Sequence, residues 1–154
     1  MLLTELLTAR RIKVPLAAGT KQEVIEELVD LLVGNGDVSD RDRVLQAVME
    51  RERTRTTGIG GGVAIPHGKC STVQSLVAAI GKPAEPVDFE SVDGKPVSLV
   101  IMLISPLDRT GPHIQALARI ARLVSDEAFK KKLLGVSAAA ELFQAVREHE
   151  AGEK

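Results

Sequence analysis

The residues best suited to chemistry lie in Gly58-Ile-Gly-Gly-Gly-Val-Ala-Ile-Pro-His-Gly-Lys69. Histidine works near neutral pH as base, nucleophile or ligand. His67 follows Pro66, whose ring fixes its own φ and drives Ile65 extended, so the imidazole sits on a rigid arm. The glycines at 58, 60, 61, 62 and 68 permit positive φ and close approach by other groups. A reactive site and a tight turn that happens to contain a histidine fit these local features equally. Upstream, Glu50-Arg-Glu-Arg-Thr-Arg55 ends just before the glycines, so Arg51, Arg53 or Arg55 could face His67, and Thr56 and Thr57 add hydroxyls. The same run also reads as a solvated helix face. Downstream, Pro112 suits a first helical turn and places His113 at a helix N-terminus, where free backbone N–H groups favour anions.

Several chemistries fail on spacing. A P-loop needs Gly, four residues, then Gly-Lys-Ser/Thr, but here Val63 holds the first glycine's place, four residues intervene before Gly68-Lys69, and Cys70 follows. The dinucleotide fingerprint fails because Val63 occupies its last glycine position, and the glycines precede a strand rather than a helix. His67 and Cys70 form a compact pair that His113 could join, but no acidic residue or second cysteine has standard spacing, and Lys69 would oppose a cation. Neither a metal nor a cofactor is therefore expected, and Cys70 reads as a small core thiol. No Gly-x-Ser-x-Gly elbow exists. A histidine that itself reacts remains. Phosphoryl transfer asks mainly for positioning and for neutralisation of the equatorial oxygens, and an arginine cluster, a glycine turn and a second histidine could supply both.

The elements that must hold these groups follow from periodicity. Leu2, Leu3, Leu6 and Leu7 suggest a helical turn, and Ile12, Val14 and Leu16 alternate as a strand that Pro15 places at an edge. Thr20 and Glu23 form a capping box for a helix whose stripe is Val24, Ile25, Leu28, Val29 and Leu32 and whose end is Gly34-Asn-Gly36. Ser39 is expected to cap a second helix burying Val44, Leu45, Val48 and Met49. Val63 to Ile65, Leu76 to Ile80 and Val87 to Phe89 read as extended, and Val97 to Ile104 as a central strand covered on both faces. A helix from Pro112 should face Ile114, Leu117, Ile120, Ala121 and Val124 inward. Ser125 or Asp126 should start a shorter helix, Ser137 should cap the last one, and the polar tail from Glu148 should fray, with His149 on the surface. The expectation is one α/β domain, residues 1–154, with a mixed sheet between helices.

Composition narrows the partners. A chain of 154 residues buries roughly 70% of its unfolded surface, enough for one core. A net charge of −1 and an aromatic content of 2% leave neither a basic field nor stacking platforms, which argues against nucleic acid. Partner contacts should rest on aliphatic, Met and Arg side chains. The apolar start is too short to span a membrane and carries its arginines on the wrong side for a signal peptide, so no membrane insertion is expected. One cysteine suits a reducing compartment, and the location expected is cytoplasmic.

The run Arg51-Glu52 … Thr57-Gly-Ile-Gly-x-Gly-Val-Ala-Ile-Pro-His67-Gly resembles the phosphorylation-site signature of the type-2 enzyme IIA domains of the bacterial phosphoenolpyruvate-dependent phosphotransferase system. Pro86-Val-Asp-Phe, Asp93-Gly-Lys-Pro-Val97 and His113-x-x-x-Leu117-Ala-Arg-Ile-Ala-Arg-Leu123 continue the likeness, which runs from Thr4 to Arg147. The resemblance implies a mixed sheet of about five strands flanked by helices on both faces. It implies a phosphotransferase in which His67 accepts a phosphoryl group, on Nε2, from an HPr-like carrier. His113 would be the second active-site histidine, and Arg51 would stabilise phosphoryl charge. Thr57, Gly58, Gly60, Gly62, Pro66 and Gly68 would form the supporting loop. Gly61 stands where relatives often carry Asn, and Arg53 and Arg55 match no functional position. Downstream partners would be regulated target proteins, as in the nitrogen-regulatory type, or a IIB domain, as in fructose- and mannitol-specific IIA components. The lack of any fused IIB, IIC or HPr-like segment favours the regulatory type. The glycines should leave His67 in a shallow, open site that another protein can reach.

Overall fold

The apolar run from Val97 to Ile104 becomes the central strand Leu99–Ser105 in the computed structural model, which describes residues 1–153. Among these residues the sheet has six strands: Ile12–Leu16 (β1), Gly58–Gly60 (β2), Val63–Ala64 (β3), His67–Lys69 (β4), Val77–Pro83 (β5) and Leu99–Ser105 (β6). Their order is β1-β5-β6-β3-β2, with β4 also paired to β6. β5 runs antiparallel to β6 and β2 antiparallel to β3, whereas β1, β3 and β4 pair in parallel, so the sheet is mixed. β1 lies at an edge, as Pro15 requires.

The strand count exceeds the expected five for a local reason. β3 and β4 lie along the same side of β6, opposite Leu99-Val100 and Leu103 to Ser105. Ile65 and Pro66 interrupt them. Ile65 N–H turns away to the Thr57 carbonyl (3.0 Å), while the Pro66 carbonyl still accepts from Leu103 N–H (3.0 Å). Proline cannot donate to the ladder, so one strand is split into two. The piece Val87 to Phe89 contributes only an isolated bridge from Val87 to Val97.

Every residue of β6 is buried, and alternation sends its side chains to opposite faces. Leu99, Ile101 and Leu103 join Leu123, Phe129 and Val146 on one side. These come from the helices Thr110–Ser125 (α3), Glu127–Leu134 (α4) and Ala139–Ala151 (α5). Val100, Met102 and Ile104 join Val24, Ile25, Leu28, Val44 and Val48 on the other. Those belong to Lys21–Gly34 (α1) and Arg41–Thr54 (α2). No helix among the described residues is long and apolar enough to cross a membrane.

Several local expectations are corrected. In α2 neither Ser39 nor any other side chain caps the N-terminus; Asp40 holds the N-cap position with φ of 58°. Ala138, not Ser137, is the N-cap of α5. In α3 the buried face is His113, Ala116, Ile120, Leu123 and Val124, leaving Ala121 outside and Ile114 60% exposed. Helical periodicity allowed either face, and packing on β6 selected the one that carries His113. The tail from Glu148 does not fray at once. α5 continues to Ala151, and buried Glu150 accepts from Leu3 N–H (2.7 Å), Thr4 N–H (3.0 Å), the Thr4 hydroxyl (2.9 Å) and Arg119 Nε (3.0 Å). His149 is half-buried and stacks on Phe129 at 3.9 Å rather than lying free on the surface. The chain's two ends are thereby joined on the α3 side of the sheet.

Candidate functional site

His67 is the first residue of β4, opposite Leu103, and is half-buried. Its Nδ1 lies 2.8 Å from the Ile65 carbonyl. A carbonyl oxygen only accepts, so Nδ1 bears the proton and the neutral ring presents its lone pair at Nε2. Burial pushes the His67 pKa down; the Ile65 carbonyl opposes this, the Arg51 charge adds to it, and Glu52 works against it. The imidazole is thus kept neutral and nucleophilic near pH 7.

Pro66 and Gly68 bracket this residue for different reasons. Pro66 splits the strand and sends the Ile65 carbonyl back to Nδ1. Gly68 permits contact with α2: a Cβ there would stand 3.0 Å from Val48 N and 3.1 Å from the Ala47 carbonyl carbon. Both neighbours are helix backbone and cannot yield. The close packing presses β4 against α2 and brings the end of α2, with Arg51, to the histidine.

Buried Glu52 couples that helix end to the glycine loop. Its carboxylate accepts from Thr57 N–H (2.8 Å) and from the Thr57 hydroxyl, and pairs with Lys21 (2.8 Å). Thr57 O in turn receives Ile65 N–H. A chain of bonds therefore runs from α2 through Glu52, Thr57 and Ile65 to the His67 ring. The Thr56 hydroxyl receives Gly58 N–H (3.1 Å) and donates to Phe89 O (2.6 Å). Gly60, Gly61 and Gly62 take φ of 98°, 66° and 83° in the turn from β2 to β3, a conformation that residues with a side chain rarely hold. Gly61 N–H is bound by the Asp93 carboxylate (3.0 Å), whose pKa is lowered first by that bond. Position 61 thus works through its backbone.

His113 lies in the first turn of α3, but its own N–H bonds the Arg109 carbonyl (3.0 Å) and its side chain is buried. Its ring centroid is 5.5 Å from that of His67, the planes tilted by 56°. Its Nδ1 is 2.6 Å from Ser105 Oγ. Burial, then the charges of His67 and Lys69, push its pKa down to about 4, so it is a neutral ring. Arg51, in the last turn of α2, donates to the Arg55 carbonyl (2.8 Å), and its charge helps to lower the His67 pKa.

The fold thus sets His67 and His113 side by side, with the Arg51 charge acting on His67. Pro66 and Gly68 flank His67, Thr57 is linked to it through Ile65, and Gly58, Gly60 and Gly62 lie in β2 and the β2–β3 turn against Ser91, Asp93 and Pro96. Arg53 and Arg55 are exposed. Three neighbours escaped the sequence reading. Glu52 stands beside Arg51 in the motif, but the sequence assigns it no role within a charge run that also suits a solvated helix face. Lys69 reaches the Thr110 hydroxyl (3.2 Å) at the start of α3 and supplies positive charge beside His113. Ser105 had no signal beyond ending the central strand. Cys70 is buried beside Thr72, its Sγ 3.1 Å from the hydroxyl, as a core thiol would be.

Residues 5–149 match the family described as "Phosphoenolpyruvate-dependent sugar phosphotransferase system, EIIA 2". The chain is 35% identical over 97% of its length to the PTS system fructose-specific EIIABC component of Bacillus subtilis, spanning 24% of that protein. It is 37% identical over 86% of its length to the nitrogen regulatory protein of Bradyrhizobium diazoefficiens, spanning 86% of that protein. The crystal structure of nitrogen regulatory protein IIA-Ntr from Neisseria meningitidis superposes with a TM-score of 0.85 at 34% identity, covering 92% of this chain and 97% of that one. Sequence and fold agree over nearly the whole chain: it belongs to the type-2 EIIA family of the phosphoenolpyruvate-dependent sugar phosphotransferase system.

Proposed function

We propose that the chain is a phosphohistidine carrier in which His67 Nε2 takes the phosphoryl group from the phosphohistidine of an HPr-like protein. The observation that carries this is the bond from His67 Nδ1 to the Ile65 carbonyl, which leaves Nε2 as the free nucleophile on a fixed ring. In the transfer the Nε2 lone pair forms the new P–N bond while the donor's P–N bond breaks and returns its electron pair to the donor ring. The proton retained on Nδ1 keeps the phosphorylated imidazole a good leaving group for the onward step. Arg51 and Lys69 offset charge on the phosphoryl oxygens, and His113 faces the same space as a neutral ring. Ile114, next to His113, and Leu107 and Ile59 are exposed apolar side chains that suit transient docking of another protein. No cofactor is called for, and the reaction implies a cytoplasmic location.

Incubation with phosphoenolpyruvate, enzyme I and HPr should yield an acid-labile, base-stable phosphoprotein. Label that persists in His67→Ala would overturn the assignment. For the downstream step we favour a nitrogen-regulatory role, on the likeness in sequence and fold to two nitrogen regulatory proteins. There the phosphorylation state of His67 would govern binding to target proteins. The alternative is a sugar-specific component, supported by the likeness to the fructose-specific protein. Rapid discharge of the purified phosphoprotein to a fructose- or mannitol-type IIB would select the alternative.

A further inference from the structure

We propose that Ser105 is a positioning residue for the transfer: its hydroxyl donates to His113 Nδ1 and so fixes His113 as the tautomer that presents an N–H at Nε2. The inference rests on His67 as the phosphoryl acceptor. Ser105 ends β6 and is fully buried. Its backbone is paired with Lys69 at the end of β4, and its carbonyl receives Cys70 N–H (2.9 Å). Its side chain lies 2.6 Å from His113 Nδ1. One residue thus joins the strand that carries His67 to the ring of His113.

The direction of the bond follows from counting hydrogens. A serine hydroxyl has one hydrogen, and Nδ1 is the only partner of this hydroxyl among the described residues. Were Nδ1 the donor, the hydroxyl hydrogen would be left unpaired in a site closed to water, the costlier of the two defects. With the hydroxyl as donor, the Ser105 hydrogen is paired, and the one hydrogen left over is at Nε2, an atom that is not sealed from solvent. Because the ring is neutral, its single proton must then sit on Nε2, which bonds no described residue and is free for a phosphoryl oxygen. The two histidines therefore hold opposite tautomers. His67 is protonated on Nδ1 and offers a lone pair, and His113 is protonated on Nε2 and offers a hydrogen-bond donor. A neutral donor can stabilise the equatorial oxygens without competing with His67 for the phosphoryl group.

The test uses the full chain labelled with nitrogen-15. In the wild type at pH 7, the long-range proton–nitrogen spectrum should show His113 Nδ1 without a proton and shifted as a hydrogen-bond acceptor, with the proton on Nε2. Ser105→Ala should move the Nδ1 resonance toward that of a free lone pair. It should also slow phosphoryl transfer from phospho-HPr about tenfold at saturation, leaving the KM for the donor unchanged. Ser105→Cys fills the same space with a weak donor and should behave like Ser105→Ala. A proton on His113 Nδ1 in the wild type overturns the inference. So does a transfer rate unchanged in Ser105→Ala, or fully restored in Ser105→Cys, since packing alone would then suffice. Absence of any phosphorylation of the wild type would instead strike at the carrier reading, which the tautomer measurement does not depend on.

Discussion

His67 and His113 share a low proton affinity for the same main reason, burial, but they meet different partners. His67 binds a carbonyl and His113 a hydroxyl. The depressed pKa of His113 has a consequence for stability. In the unfolded chain the ring takes up a proton below its ordinary value of 6.5, whereas the folded protein resists protonation down to about 4. The unfolded state therefore binds more protons in that window, and stability falls as pH drops from 6.5 toward 4. His67 adds a slope of the same sign. Urea midpoints measured across this range should fall less steeply in His113→Asn than in the wild type. An identical slope would mean that His113 is not held neutral by the fold. His113→Asn should also lower the rate of phosphoryl transfer while leaving the labelled residue unchanged.

The joint between α2 and the glycine loop decides where His67 stands. Glu52 is its centre, and its removal would leave Thr57 N–H and the Thr57 hydroxyl without their partner and Lys21 with only the longer contacts to Glu90 and the Phe89 carbonyl. Glu52→Ala is expected to destabilise by about 3 kcal/mol, the usual scale for breaking a buried ion pair from one side. Urea denaturation would measure this. The same variant should slow transfer, because the bonds that hold Ile65 also hold the His67 ring. Gly68→Ala acts on the other side of the joint. Its methyl would press on the backbone of Ala47 and Val48, and overpacking of this kind costs about 1–3 kcal/mol. A variant as stable as the wild type would show that α2 can slide away from β4.

Across the whole molecule, the first residues and the last helix close the side of the sheet formed by α3. Leu3, Leu6 and Leu7 enter the core, and Glu150 accepts from the backbone N–H groups of Leu3 and Thr4 while pairing with Arg119. Its pKa is lowered by bonds to Leu3, Thr4 and Arg119 that outweigh the opposing effect of burial. Glu150→Ala should free the N-terminal segment, seen as lost hydrogen-exchange protection at Leu3 and Thr4 and a lower melting temperature. Phosphorylation of His67 should persist, because no bond of this cluster reaches the glycine loop. Loss of labelling in a folded variant would show that the two ends are coupled to the site.

Much of this architecture is written in local pattern. The unbroken apolar run to Ile104 requires a strand covered on both faces, Thr20 and Gly36 bound α1, and Pro66 before His67 demands a rigid arm. These are constraints between near neighbours in the chain, and they survive whatever the chain packs against. The likeness in the motif around His67 extended the reading to Arg51 and His113. Other features depend on contacts between residues far apart. Pattern could not choose which face of α3 turns inward, so Ile114 was expected inside and His113 was not expected to be buried. Nor could it distinguish Glu52 from the solvated charges on either side of it, since its burial comes from Thr57 and Lys21 closing over it. The tautomers of the two histidines lie furthest from sequence. A proton's position depends on whether a carbonyl or a hydroxyl stands within 3 Å, and for His113 that group arrives from the end of another strand.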